Sequence, residues 1–123
     1  MKRVIIYCII LILIGLLGYF FYEKKGVSID KGPVVFVLMK DNKFEPEIIK
    51  VEKNQKVVFK NQDTKPHWPA SNLHPTHGIY PEFDPQQSVN PGDEWSFIFN
   101  KVGKWKYHDH LHPNVVGVIE VQE

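Results

Sequence analysis

The chain has 123 residues and a net charge of +1, enough for one domain with a modest core and without the basic excess that nucleic-acid binding requires. Aromatic residues make up 13%, which suits a β-rich domain. The single cysteine, Cys8, excludes an intrachain disulfide, so packing, or packing plus a metal, must hold the domain together.

Lys2 and Arg3 lead into an apolar run from Val4 to Tyr22, closed by Glu23, Lys24 and Lys25. As a helix this run spans about 28 Å, close to the hydrocarbon thickness of a bilayer. Gly18-Tyr19-Phe20 makes a poor small-residue cleavage site. Residues 1–25 are therefore predicted to be an uncleaved signal-anchor, a single transmembrane helix with Cys8 as a membrane-buried thiol. Basic residues flank both ends, so the charge rule alone leaves the orientation open; the short basic tail favours the amino end inside. Residues 26–33 read as a polar, glycine-bearing linker.

From 34 to 123 the chain reads as strands. Val34–Met39, Ile48–Val51 and Val57–Phe59 are apolar, β-branched runs, with Lys53-Asn54-Gln55 a turn candidate between the second and third. Asn90-Pro91-Gly92-Asp93 is a strong turn signal. It introduces EWSFIFN, residues 94–100, whose period of two puts Trp95, Phe97 and Phe99 on one face. Lys104–Tyr107 and Val116–Val121 complete the set. Short strands, turn punctuation and no helical periodicity predict an antiparallel β-sandwich.

One stretch departs from this rhythm. Thr64–Val89 is long and carries five prolines, Pro66, Pro69, Pro75, Pro81 and Pro85, with Trp68, Tyr80 and Phe83 among them. Long loops in small domains are usually functional or disordered. Disordered segments are poor in aromatics, so this loop is expected to be ordered. All six histidines fall in two places: His67, His74 and His77 here, and His108, His110 and His112 in KYHDHLHPNVVGVIEV, residues 106–121. A lone histidine is most often structural or exposed. Six confined to two loop-like segments point to metal binding, since imidazole suits copper, zinc, iron and nickel.

Spacing leaves two geometries open. Along an unbroken strand His108, His110 and His112 share one face and Asp109 points away. His112-Pro113 argues instead for a loop by that point, and a loop would let Asp109 face a site together with His112. His74 and His77 are candidates to fold over that site or to form another. Tyr80, Glu82 and Asp84 offer oxygen donors, although such loop residues are more often solvated. Trp68, Trp95 and Trp105 read as core or rim packing.

The ordered series Phe44-x-Pro46, Ile49-x-Val51, Val57-x-Phe59-x-Asn61-x-Asp63, His67, Pro91-Gly92, Phe97, then Gly103 through His108 and Asp109 through Val121 resembles the cupredoxins, in particular the small blue-copper proteins of the amicyanin and plastocyanin kind. The resemblance covers residues 34–122. It implies an eight-stranded Greek-key β-sandwich. It further implies a ligand histidine after the Asn-x-Asp strand, at His67, and a closing Cys-x-x-His-x-x-Met loop. On this sequence the loop histidine falls on His112, the cysteine position on Asp109 and the methionine position on Val115. His108 corresponds to a position that is not a ligand in the family and is read as a packing or supporting residue.

Those departures carry chemistry. Blue copper needs a thiolate, and no cysteine lies outside the apolar run. Asp109 offers a hard anionic oxygen instead, and His110 stands beside it as a replacement or supplement. Histidine plus carboxylate favours Cu(II) of the tetragonal kind, with zinc as an alternative. A similar cupredoxin-like domain accompanies a bacterial periplasmic iron-uptake component, which keeps iron as an alternative by analogy. The expected metal ligands are His67, His112, Asp109, His110, His74 and His77.

The function expected on this basis is a membrane-tethered metal-binding module, its soluble domain in the periplasm or extracellular space, for copper storage, delivery or tolerance. Its partners would be the membrane, the metal ion, and a metal-delivery or redox protein. The alternatives are a redox or oxidase-type subunit with a non-blue copper site, and a metal-free sandwich used as an interaction module. Ser71, Ser88 and Ser96 have no nucleophile motif around them, which weakens the case for an enzyme.

Overall fold

The computed structural model describes residues 32–123. The predicted anchor at 1–25 and most of the linker at 26–33 lie outside the described residues. Among these, the regular elements are eight strands and no helix. They are β1 (Val35–Lys40), β2 (Lys43–Glu45), β3 (Ile48–Glu52), β4 (Gln55–Asn61), β5 (Pro69–Ser71), β6 (Glu94–Phe99), β7 (Gly103–Asp109) and β8 (His112–Gln122). Two four-stranded sheets, β2-β1-β4-β6 and β3-β8-β7-β5, face each other across one core.

The sheets are mixed, which corrects the expectation of an antiparallel sandwich. β1 runs parallel to β4, and β3 parallel to β8. The cause is the route of the chain. After the β1–β2 hairpin it crosses to the other sheet for β3 and returns to lay β4 beside β1 in the same direction. Periodicity reports that a segment is a strand and which face is buried; it does not report the neighbour.

The core alternates along these strands. Val37, Met39, Ile49, Val51, Val57, Phe59, Phe99, Tyr107, Ile119 and Val121 all point inward. Phe83 comes from the long loop, is fully buried, and packs on Phe59, Trp95, Phe97, Phe99 and Tyr107 at ring separations of 5.0–5.7 Å. Burying such a ring stabilises by about 1.5–3 kcal/mol. Tyr80, also from the loop, packs on Trp105 at 4.9 Å and donates its hydroxyl to Asn100 Oδ1 at 2.7 Å. These two rings nail the proline-rich loop to the sandwich, so it is ordered as its aromatic content predicts.

The neck of the loop is tied by one amide. Asn61, at the end of β4, donates its side-chain N–H to the carbonyls of Lys65 (2.7 Å) and Val89 (2.9 Å). His67 and Val89 then exchange backbone hydrogen bonds of 3.1 and 2.7 Å. Beneath the far side, Gly117 of β8 lies against the Tyr107 ring, and a Cβ there would overlap it.

A candidate metal centre at the end of the sandwich

β7 and β8 are joined by the two-residue turn His110-Leu111, closed by the pair Asp109↔His112. The next pair is His108↔Val116, so Pro113, Asn114 and Val115 form a bulge on β8. That is why a proline is tolerated inside this strand: it sits where no ladder N–H is required. The bulge brings His112 back over Asp109, so these two side chains converge as the open-loop geometry anticipates.

Asp109 shares a face with Tyr107 by alternation and is completely buried. Its Oδ1 accepts the backbone N–H groups of Trp68 (2.9 Å) and Leu111 (3.0 Å). Its Oδ2 lies 2.7 Å from His67 Nδ1 and 2.7 Å from His112 Nδ1. Burial would raise the Asp109 carboxyl, but the hydrogen bonds from His67, His112, Trp68 and Leu111 outweigh it and hold the group below the usual range. A buried carboxylate satisfied in this way is ionised and aimed. His67, Asp109 and His112 have donor atoms within 4.8 Å of one another. His67 and Asp109 are closed to solvent, whereas the His112 side chain is 34% exposed.

The His67 ring tests whether a cation fits. Its Nδ1 faces Asp109 Oδ2, and its Nε2 faces Asp63 Oδ2 at 3.3 Å. A neutral imidazole carries one proton, so one of these nitrogens would turn a lone pair toward a carboxylate oxygen. A second proton or a metal ion on the Asp109 side removes the conflict. With the ion at Nδ1, Nε2–H is donated to Asp63, the carboxylate–histidine–metal arrangement that fixes a ligand ring. The Asp63 carboxylate is prepared for this: the N–H groups of Thr64 and Asn42 hold it below its usual range, with His67 adding to them against partial burial. Val115, at the position the resemblance gives to methionine, is apolar and packs on the core, so no fourth protein donor comes from there.

The remaining histidines gather on the other face of β7. His108 and His110 point away from Asp109, and the loop lays His74 and His77 against them. His74 Nδ1 is 3.2 Å from His108 Nε2, and His77 Nε2 is 3.0 Å from His110 Nδ1. The His108 ring is pushed down to about 4 by burial first and then by the neighbouring His77, His74 and His110 rings, against Asp109. His110 is lowered for the same reasons. Asp84, lowered by hydrogen bonds from Gln86, Trp68 and His77 that outweigh its burial, receives His77 Nδ1 at 2.6 Å.

The six expected ligands are thus divided. His67, Asp109 and His112 meet on one side; His74, His77 and His110 meet on the other, joined by His108, to which the resemblance gives a packing or supporting role. The signal for His108 was its two-residue spacing from His110. Tyr80 and Glu82 are not near donors: Tyr80 bonds Asn100, and Glu82 pairs with Lys101 at 2.9 Å. Trp68 is a rim residue, its ring 4.8 Å from His110 and its indole N–H donated to Asp84 at 2.8 Å.

A family model described as "Cupredoxin-like domain" matches residues 10–121, and the chain belongs to that family. No curated protein matches the sequence. Among solved structures, a purple cupredoxin from Nitrosopumilus maritimus is 23% identical, with a TM-score of 0.63 over 72% of this chain and 99% of that one. A reduced amicyanin variant is 19% identical, with a TM-score of 0.64 over 79% and 90%. A copper-containing nitrite reductase from Thermus scotoductus SA-01 is 23% identical, with a TM-score of 0.62 over 76% of this chain and 23% of that one. At these identities the likeness establishes the fold, and the eight strands agree with the number that the resemblance implies.

Proposed function

We propose that this chain is a membrane-tethered, extracytoplasmic copper-binding protein with a non-blue centre. His67 and His112 would hold the ion through Nδ1, and Asp109 through Oδ2. The observation that carries the reading is the convergence of two imidazole nitrogens on one buried carboxylate oxygen, each at 2.7 Å. Two nitrogens and a hard oxygen favour Cu(II) at the head of the divalent affinity order, with zinc or iron as competitors. Bound copper supplies Lewis acidity and one-electron redox capacity; the protein supplies position and charge. Asp109 neutralises one unit of the ion's charge, and Asp63 orients His67.

The proposed role is storage, delivery or tolerance, handing the ion to a delivery or redox partner. Support comes from the half-open His112, through which an ion can arrive and leave, and from the lack of a thiolate that would couple the centre electronically to an acceptor. The tether rests on the apolar run at Val4–Tyr22.

Titration of the full-length chain in detergent with Cu(II), followed by electron paramagnetic resonance, tests the centre. A tetragonal signal without intense blue absorption is expected, and the His67→Ala and His112→Ala variants should each bind one copper equivalent fewer than wild type. Copper binding that survives both substitutions unchanged would remove the proposal.

A further inference from the structure

We propose that His74, His77, His108 and His110 form a second, all-imidazole Cu(II) centre on the opposite face of β7. It is separate from the His67–Asp109–His112 centre and does not depend on that reading.

The argument starts from which nitrogens carry protons. His77 Nδ1 lies 2.6 Å from Asp84 Oδ2, so that nitrogen holds the proton and donates it. His77 Nε2 is then a lone pair, and it points at His110 Nδ1, 3.0 Å away. His108 repeats the pattern: its Nδ1 donates to Asn72 Oδ1 at 3.1 Å, leaving Nε2 to face His74 Nδ1 at 3.2 Å. Two rings are therefore locked by an oxygen behind them with a lone pair in front, the arrangement found behind metal-bound histidines. His74 and His110 present the other two nitrogens. Without an ion each donates its Nδ1 proton to the facing ring. With an ion each carries the proton on Nε2 instead, and no net proton is lost. His74 is exposed and His110 partly exposed, so their Nε2–H groups can be solvated in that state.

Three of the donors are already close: those of His74, His108 and His110 lie within 4.8 Å of one another. His77 adjoins them, its Nε2 3.0 Å from His110 Nδ1 and its ring 5.3 Å from that of His108. Nitrogens bound to one ion at about 2.0 Å lie at most about 4 Å apart, so binding draws the three together by ring rotation and His77 turns in as the fourth. The backbone adds an independent sign. His77 has φ +53°, the left-handed region that non-glycine residues enter at a cost, and its ring packs on those of His108 and His110. An uncharged four-nitrogen set favours Cu(II), which leads the divalent series at imidazole sites, and Asp84 supplies a negative charge one hydrogen bond behind His77.

The test uses the full-length chain in detergent, copper alone as the probe, and three variants checked by circular dichroism. Wild type is expected to bind two equivalents of Cu(II). The double variant His67→Ala/His112→Ala is expected to keep one, with nitrogen hyperfine structure from imidazoles only. The double variant His74→Ala/His110→Ala, altered at its more exposed positions so that folding is spared, is expected to lose that equivalent and keep the other. Asp84→Asn is expected to weaken the second equivalent by about 10–100-fold and to leave the signal of the first unchanged, which a merely structural role would not do. A His67→Ala/His112→Ala protein that binds no copper overturns the proposal, and so does a His74→Ala/His110→Ala protein that still binds two equivalents. Loss of copper only in His74→Ala/His110→Ala supports this centre while removing the one at Asp109.

Discussion

The two faces of β7 offer a contrast in how a polypeptide assembles donors. On the inner face the set is charged, buried except at His112, and fixed by the sandwich: Asp109 ends a core strand, and His67 is bridged through its backbone to Val89. On the outer face it is uncharged and half of it comes from a loop, with Asn72 and Asp84 setting ring orientation. The inner set belongs to the fold and the outer set to the loop. A change in one face should therefore be readable without the other.

The largest effect is expected at Asp109. Asp109→Ala leaves two part-buried backbone N–H groups and two imidazoles without their acceptor, and in the metal-free protein it should cost about 3–5 kcal/mol, measured by urea unfolding. Asp109→Cys places a thiolate between His67 and His112; copper loading should then produce intense visible absorption, absent from wild type, while the outer equivalent persists. Next, Gly117→Ala forces a Cβ into the Tyr107 ring, on the face of β7 that also carries Asp109. A loss of about 1–3 kcal/mol is expected, with the inner copper equivalent weakened and the outer one kept; equal weakening of both would show that the faces share this support.

The outer face should also carry an acid-sensitive signature in the metal-free protein. His108 titrates at about 4 folded and 6.5 unfolded, so between these values the unfolded chain binds more protons. Stability therefore falls as pH drops through that window. His77, His74 and His110 oppose its proton and Asp109 favours it. His108→Gln should flatten the difference between urea midpoints at about pH 7 and about pH 5. The smallest effect is expected from Tyr107→Phe. Tyr107 Oη is the one buried side-chain polar atom without a partner among the described residues, and burial raises its pKa far above the usual tyrosine range. Removing it should stabilise by about 1 kcal/mol in thermal unfolding, with copper binding untouched.

Much of the sandwich was legible because apolar runs and turn residues mark strands directly. Two strands were not. Lys43–Glu45 and Pro69–Ser71 have three residues each, too short for periodicity to register, and the second hides inside a proline-rich stretch. The parallel pairings escaped because pairing is decided by where the chain crosses between layers. At the site, the resemblance singled out His67, Asp109 and His112 as a group. The pairing of His108 with His110 was readable from alternation. The approach of His74 and His77 was not, because it depends on Tyr80 and Phe83 finding their seats in the core.

Asn61 ties both ends of the loop with a single side chain, holding Lys65 and Val89. Between those carbonyls the chain lends the sandwich only β5 and the two core rings Tyr80 and Phe83; the rest is a closed excursion that the sheets do not have to measure. Since the entropy of closing such an excursion grows only slowly with its length, insertions or deletions between the anchored rings would leave the strands in register. The sandwich is in this sense a chassis, and its histidine-bearing segment a cassette that selection can lengthen, shorten or re-equip without rebuilding what lies beneath.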